Sequence, residues 1–268
     1  MTYKRFSELD RENAIATLCE RYANNLLVTA AILDECARND WCYRVSSDIF
    51  PLLTYDKCIL KYDELPNRND LDRLFAICAE KIKTHNIRVS CHPDQFNVLA
   101  SENVDAVNRT IVELNHHAWF MDKLGAARNY SHPINIHLNA SKGDPQEICS
   151  RFAKNFTSLD DAVKSRLVIE NEDKGIWTVE NLERVLRACI KIPITFDYLH
   201  HKCNQGNLSE RDAFLLCYET WQANTPLFHY SESIPADKNP RKHADYATSF
   251  PNTDRKSTRL NSSHANIS

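Results

Sequence analysis

Short runs rich in Val, Ile and Phe alternate along this chain with longer segments of helical periodicity, and that alternation constrains the fold more than any other feature. The runs span 42–47 (CYRVSS), 87–91 (IRVSC), 134–139 (INIHLN), 167–171 (LVIEN), 194–198 (ITFDY) and 227–232 (LFHYSE). Unbroken apolar runs suit strands buried on both faces, as in a parallel sheet covered by helices. Between them, helical patterns occupy 11–38, 69–84, 104–124, 148–161, 179–189 and 210–222. Asn69, Ser101 and Ser209 stand where N-caps are expected. One strand and one helix repeated at roughly 30 residues is the βα unit. The expectation is an α/β fold, a TIM (β/α) barrel, as one domain over residues 1–250. No strand pattern precedes the first helix and none follows Tyr246, so the barrel is expected to be truncated at both ends, without its first and last strands.

With 268 residues and 43% hydrophobic content, the chain can bury one large core. Lys and Arg number 33 against 36 Asp and Glu, a balance that announces no basic nucleic-acid binder. Bound divalent cations would change the local field, so net charge is a poor guide at a metal site. The ten cysteines run from Cys19 to Cys217 without a CxxC pair, which argues against zinc ribbons and disulfide frameworks. Four glycines are too few for Gly-rich phosphate loops. Neither a signal peptide nor a membrane-spanning run is visible, so a cytoplasmic, monomeric protein with no membrane partner is expected, nucleoid-associated if bacterial. The stretch from Asp254 (DRKSTRLNSSHANIS) is polar and aperiodic; it resembles a translated sequencing adapter and is set aside as an artefactual, disordered tail.

Chemistry therefore falls to side chains at strand ends. His92 follows IRVSC, His137 lies within INIHLN, Glu170 within LVIEN, Asp197 within ITFDY, then His200, and His229 lies within LFHYSE. In a barrel these ends converge on one mouth. A single strand histidine is more often a hydrogen-bonded core residue, but a Glu or Asp between apolar neighbours is costly unless paired or metal-bound. Imidazole with carboxylate and no thiolate suits zinc, manganese or iron. Two such ions can stabilise the attacking and leaving oxygens of an in-line displacement at phosphorus.

The segments YRVSSDIFPL, CHPDQFNVLAS, INIHLNASKGD, VIENED, TFDYLHHKCN, FHYSES and KHADY, in this order, resemble the successive motifs of the UV damage endonuclease family. The resemblance implies a metal-dependent barrel endonuclease acting on damaged double-stranded DNA. It would nick immediately 5′ to UV photoproducts by attack of a metal-activated hydroxide, leaving a 3′-hydroxyl and a 5′-phosphate. Carried over by motif, His92, His137 and Glu170 bind one metal; Glu170, Asp197 and His229 share a second; His200 and His243 belong to a third. Glu170, His137 and Asp197 are the catalytic set, with manganese as the metal and zinc, magnesium or cobalt as alternatives. Gln95 and Phe96 match the pair that the family inserts at the lesion. Arg44 and Lys142, with Lys174 and Lys202, are candidates for phosphate contact. His201, His116 and His117 are expected to be structural, and His85 and His132 precede strands, at the other end of a barrel.

Three positions depart from the family pattern. Tyr55 stands where a His is common, Leu227 where a Lys is common, and the family's last Glu ligand, expected beyond KHADY, is absent before the adapter-like tail. Two other readings are a metal-dependent sugar isomerase or epimerase on the same barrel, and an inactive gene fragment. His200 and His243 exceed what a two-metal isomerase requires, and the Gln95–Phe96 loop has no evident sugar-binding purpose.

Overall fold

A computed structural model describes residues 1–249, and the tail from Asp254 lies outside the described residues. The chain forms two compact units, one of residues 1–92 with 116–127 and one of residues 93–115 with 128 onward.

The first unit opens with α1 (Tyr3–Ser7) and the long α2 (Arg11–Asn39). Asp10 caps α2 by accepting from the Asn13 N–H, and Asp40 ends it in the left-handed conformation. Ala14, Leu18, Tyr22, Leu26 and Leu33 form its buried stripe. β1 (Tyr43–Val45) pairs in parallel with β2 (Val89–Cys91) across the intervening α3 (Arg68–Thr84), in the register Tyr43 to Val89 and Val45 to Cys91. Phe50 anchors the aromatic core, stacked on Tyr22 at 4.4 Å between ring centres and edge-on to Phe120 at 5.4 Å. The chain then enters α4 (Val104–Lys123), whose end returns to this unit.

In the second unit, β3 (Ile134–Ile136) leads through α5 (Pro145–Phe156) and α6 (Asp161–Lys164) to β4 (Leu167–Glu170). Next come α7 (Val179–Asn181), a π turn (Leu182–Leu186), α8 (Arg187–Cys189) and β5 (Ile194–Thr195). α9 (Tyr198–Cys203) and α10 (Glu210–Thr220) complete the regular elements among the described residues. β4 pairs in parallel with β3 on one side and β5 on the other. Every residue of β3, β4 and β5 is buried, which explains why these strands read as unbroken apolar runs rather than alternating ones.

Several boundaries differ from the sequence expectation. The first five strands form at the expected places but are two to four residues long. The sixth, at 227–232, contributes only an isolated parallel bridge from His229 to Asp197. The reason is local: Asp197 is already the N-cap of α9, a helix the periodicity did not reveal, so the ladder has no further extended chain to pair with. The expected 148–161 helix begins earlier, at Pro145 behind its Asp144 cap, and breaks after Phe156 before α6. The expected 179–189 helix is interrupted by the π turn. Asn69 lies inside α3, and Asn103 rather than Ser101 caps α4, by accepting from the Ala106 N–H at 3.1 Å. Ser209 caps α10 as expected.

Candidate metal centre

Glu170 ends β4, which is paired on both sides, so its carboxylate is fixed by the best-supported strand of the second unit. His137 stands one residue beyond β3. Asp197 stands two beyond β5, where its carboxylate accepts the His200 N–H at 2.8 Å. That cap starts α9 and, three residues on, sets His200 on the same side as the carboxylate. His229 is held by backbone bonds on both sides, its N–H donating to Phe196 and its carbonyl accepting from Tyr198.

These side chains meet at Glu170. Its Oε1 lies 3.2 Å from His200 Nδ1 and 3.9 Å from His137 Nε2, while its Oε2 lies 2.9 Å from His229 Nδ1 and accepts from the Asn135 amide. Ligand atoms of Glu170, Asp197 and His200 all lie within 4.8 Å of one another. Both carboxylates are almost fully buried, at 1% exposure. Two buried carboxylates this close are unfavourable without a cation between them, and with imidazoles alongside they form a donor set suited to a divalent transition-metal ion.

Titration follows from this crowding. Burial disfavours the Glu170 charge, but His229, His137 and His200 outweigh it and hold its carboxyl well below the usual range. Burial pushes Asp197 up, against the pull of His200, and the Glu170 charge adds to the rise. Burial alone would depress His200, yet Asp197 and Glu170 push it up to about 10. The centre thus carries its own cation, an imidazolium, where a metal ion would supply positive charge. Burial also raises Glu172, to about 7.

The remaining expected residues fall as follows. His243 forms an antiparallel bridge with Ser233, and its ring centre lies 5.9 Å from that of His200. His92 follows β2 in the first unit and is half-buried; Arg44 is half-buried in the middle of β1. Gln95 and Phe96 are exposed, Phe96 to 78%, and Lys142, Lys174 and Lys202 are exposed. His201 is buried with its ring 5.3 Å from Phe196, and His116 stacks on Trp119 at 5.3 Å beside the buried His117. Packing roles suit all three. His85 ends α3, and His132 precedes β3. Tyr55 packs edge-on against Tyr3, and Leu227 is buried.

Sequence reasoning passed over the asparagines that frame the centre. Asn171 brackets Asp197, its Oδ1 accepting the Asp197 N–H at 2.8 Å and its Nδ2 donating to the Asp197 carbonyl at 3.1 Å. The Asn171 carbonyl also accepts from His200 Nδ1 at 2.9 Å. Asn135, fully buried in the middle of β3, was the available signal: an amide inside an apolar strand requires a polar partner.

A family model described as UV-endonuclease UvdE matches residues 1–260 of the chain. A UV DNA damage endonuclease from Bacillus cereus (strain Q1) is 32% identical over 249 residues, covering 92% of this chain and 75% of the relative. The crystal structure of SacUVDE is similar with a TM-score of 0.76 at 31% identity, over 90% of this chain and 78% of that one. A D-psicose 3-epimerase structure shares 14% identity at a TM-score of 0.53, over 78% of this chain and 71% of that one. The last likeness is one of fold alone and places the chain among TIM-barrel proteins without transferring sugar chemistry.

Proposed function

The chain belongs to the UV-endonuclease UvdE family, whose members cut DNA phosphodiester bonds, and we propose that it nicks damaged duplex DNA immediately 5′ to UV photoproducts, leaving 3′-hydroxyl and 5′-phosphate ends. The observation that carries this reading is the convergence of Glu170, Asp197 and His200 on one buried point at the strand ends. Glu170, Asp197, His137, His200 and His229 would hold the ions, with Glu170 common to two of them, and His243, beside His200, would extend the set. His92 is assigned as a further ligand on its motif alone.

Divalent ions, manganese by preference over zinc, magnesium or cobalt, would supply the Lewis-acid charge that a phosphodiester needs as it takes on negative charge. The protein's own part is to hold carboxylates and imidazoles in fixed positions. Asn135 and Asn171 do that work for Glu170 and Asp197. Exposed Gln95 and Phe96 are assigned to the lesion, where a weakened base pair admits an aromatic side chain and distortion is read rather than base identity. Arg44, Lys142, Lys174 and Lys202 are assigned to phosphates. Residues 1–250 are read as one catalytic domain acting as a monomer. No helix among the described residues is long and apolar enough to cross a membrane.

Incubating the purified chain with Mn²⁺ and a UV-irradiated duplex should give a nick that an unirradiated duplex does not, with EDTA and His137→Ala each abolishing it. Equal cutting of both duplexes, or cutting that survives His137→Ala, would overturn the reading.

A further inference from the structure

We infer that Asn139 is a positioning residue that fixes the Gln95–Phe96 loop in its lesion-reading shape, anchored in turn by the buried Glu172; this rests on the assignment of that loop to the lesion. Phe96 is 78% exposed, and an aromatic ring in water at a loop tip is useful only if its place is defined before DNA arrives. The backbone beneath it meets that condition. Asn139 Nδ2 donates to the Gln95 carbonyl at 2.7 Å and to the Asn97 carbonyl at 3.3 Å, so one amide ties down both residues flanking Phe96. Asp94 holds the start of the loop: its side chain accepts from the Phe96 N–H at 3.3 Å, and its carbonyl accepts from Asn97 Nδ2 at 2.7 Å. Further along, the Val98 N–H donates to Thr110, while the Leu99 and Ala100 carbonyls accept from Asn155 and Arg151. The side chains of Gln95 and Phe96 are left exposed.

Asn139 can reach this loop because its own backbone is unusual. It has a φ of 54°, the left-handed region that Asn tolerates better than most residues. Its N–H donates to the Glu172 carboxylate at 2.8 Å, and Glu172 is 9% exposed. Glu172 is in turn fixed at its backbone, its N–H donating to the Trp177 carbonyl at 3.0 Å and its carbonyl accepting from Asn204 Nδ2 at 3.1 Å. The same segments are pinned again by Trp177 Nε1, which donates to the Ala140 carbonyl at 2.5 Å. The route runs from the loop after β4, through the turn after β3, to the loop that carries Phe96. It therefore leads from the metal-ligand strands to the lesion-reading side chain without touching a ligand atom.

The test compares wild type with Asn139→Gly, which keeps the positive φ but removes the amide, and with Asn139→Asp, which tolerates the same backbone but turns an acceptor toward two carbonyls. Glu172→Gln preserves an acceptor for the Asn139 N–H and serves as the conservative rescue. Binding of fluorescent duplexes, UV-irradiated or not, is measured in EDTA by anisotropy, together with hydrogen exchange at the amides of Gln95, Phe96 and Asn97. Both Asn139 variants should lose roughly three- to tenfold in preference for the irradiated duplex, with faster exchange at those amides, and Glu172→Gln should retain the preference. In Mn²⁺ assays the loss should fall mainly on KM. Phe96→Ala separates the two layers. If it abolishes the preference while both Asn139 variants keep it, the positioning role is wrong. If Phe96→Ala changes nothing, the loop assignment is wrong, and unchanged amide exchange in Asn139→Gly independently refutes the clamp.

Discussion

A proton and a metal ion should compete for His200, and the competition sets a measurable pH dependence. Burial works against the imidazolium, but the facing carboxylates of Asp197 and Glu170 prevail and raise its midpoint to about 10. At pH 7 the ring sits about three pH units below that midpoint, so freeing its lone pair for a metal costs roughly 4 kcal/mol, at about 1.4 kcal/mol per unit. Apparent affinity should therefore climb close to tenfold per pH unit from about pH 7 upward, with about one proton released per ion. An ordinary histidine, with a midpoint near 6.5, would give a flat profile above about pH 7.5. The stability of the metal-free chain has the opposite sign. A raised midpoint contributes stability fully below the unfolded value of about 6.5, and the contribution fades as pH rises toward about 10. The assay is Mn²⁺ titration calorimetry of the full chain between pH 6.5 and 8.5, in two buffers of different ionisation enthalpy, with His200→Gln as control. A plateau above pH 7.5 without proton release would refute the reasoning, as would a slope unchanged in His200→Gln.

Replacing Asn171 with Leu should lower the thermal midpoint and weaken Mn²⁺ binding. The change strips the buried Asp197 N–H of its acceptor, at roughly 1–3 kcal/mol, while the Asp197 carbonyl keeps the His201 N–H. An unchanged midpoint would show that neither bond matters to the fold. Phe50→Ala should cost about 3–5 kcal/mol in denaturant unfolding, because the ring packs on Tyr22, Phe75 and Phe120 in the first unit. A loss below about 1 kcal/mol would contradict that packing. Glu232 accepts from Thr248 and Ser249, which lower its carboxyl to about 2. Its stabilising effect should be present above about pH 4.5 and vanish as pH falls toward 2, so Glu232→Gln should be less stable than wild type at pH 6 and equal to it near pH 2. A constant difference across that range, followed by circular dichroism, would count against it.

The first five strands, with Glu170 at the end of β4 and Asp197 just beyond β5, were legible because the signal is local. A strand buried on both faces must be apolar throughout, and a Glu within such a run, as in LVIEN, stands out against its neighbours. The helix at Tyr198–Cys203 was hidden in a segment whose His200 drew a functional reading. Its start depends on Asp197 acting as N-cap, and the same residue reads equally well as a strand end. The weak sixth strand follows from that choice, since a chain turning into α9 can offer the 227–232 segment only one bridge. The π turn within 179–189 leaves the apolar spacing nearly intact and is invisible to periodicity.

The asparagines were harder to read, and they explain how the centre tolerates its own charge. Asn135 donates to Glu170, Asn171 brackets Asp197, Asn139 ties the Gln95–Phe96 loop, and Asn204 donates to the Glu172 carbonyl. Asn139, Asn171 and Asn204 lie beyond a strand or helix end, where composition alone suggests an ordinary turn residue, and Asn135 lies inside β3. An amide suits these places because it both donates and accepts without titrating. A carboxylate there would compete for the cation and add repulsion beside Glu170 and Asp197, and a lysine would fill the place meant for a metal. Neutral amides hold the charged ligands in place and leave the charge balance of the site to the imidazoles, the carboxylates and the ions they bind. Because the amides do not ionise, the pH response of the centre should belong to its ligands and to the buried Glu172, whose carboxyl is raised to about 7.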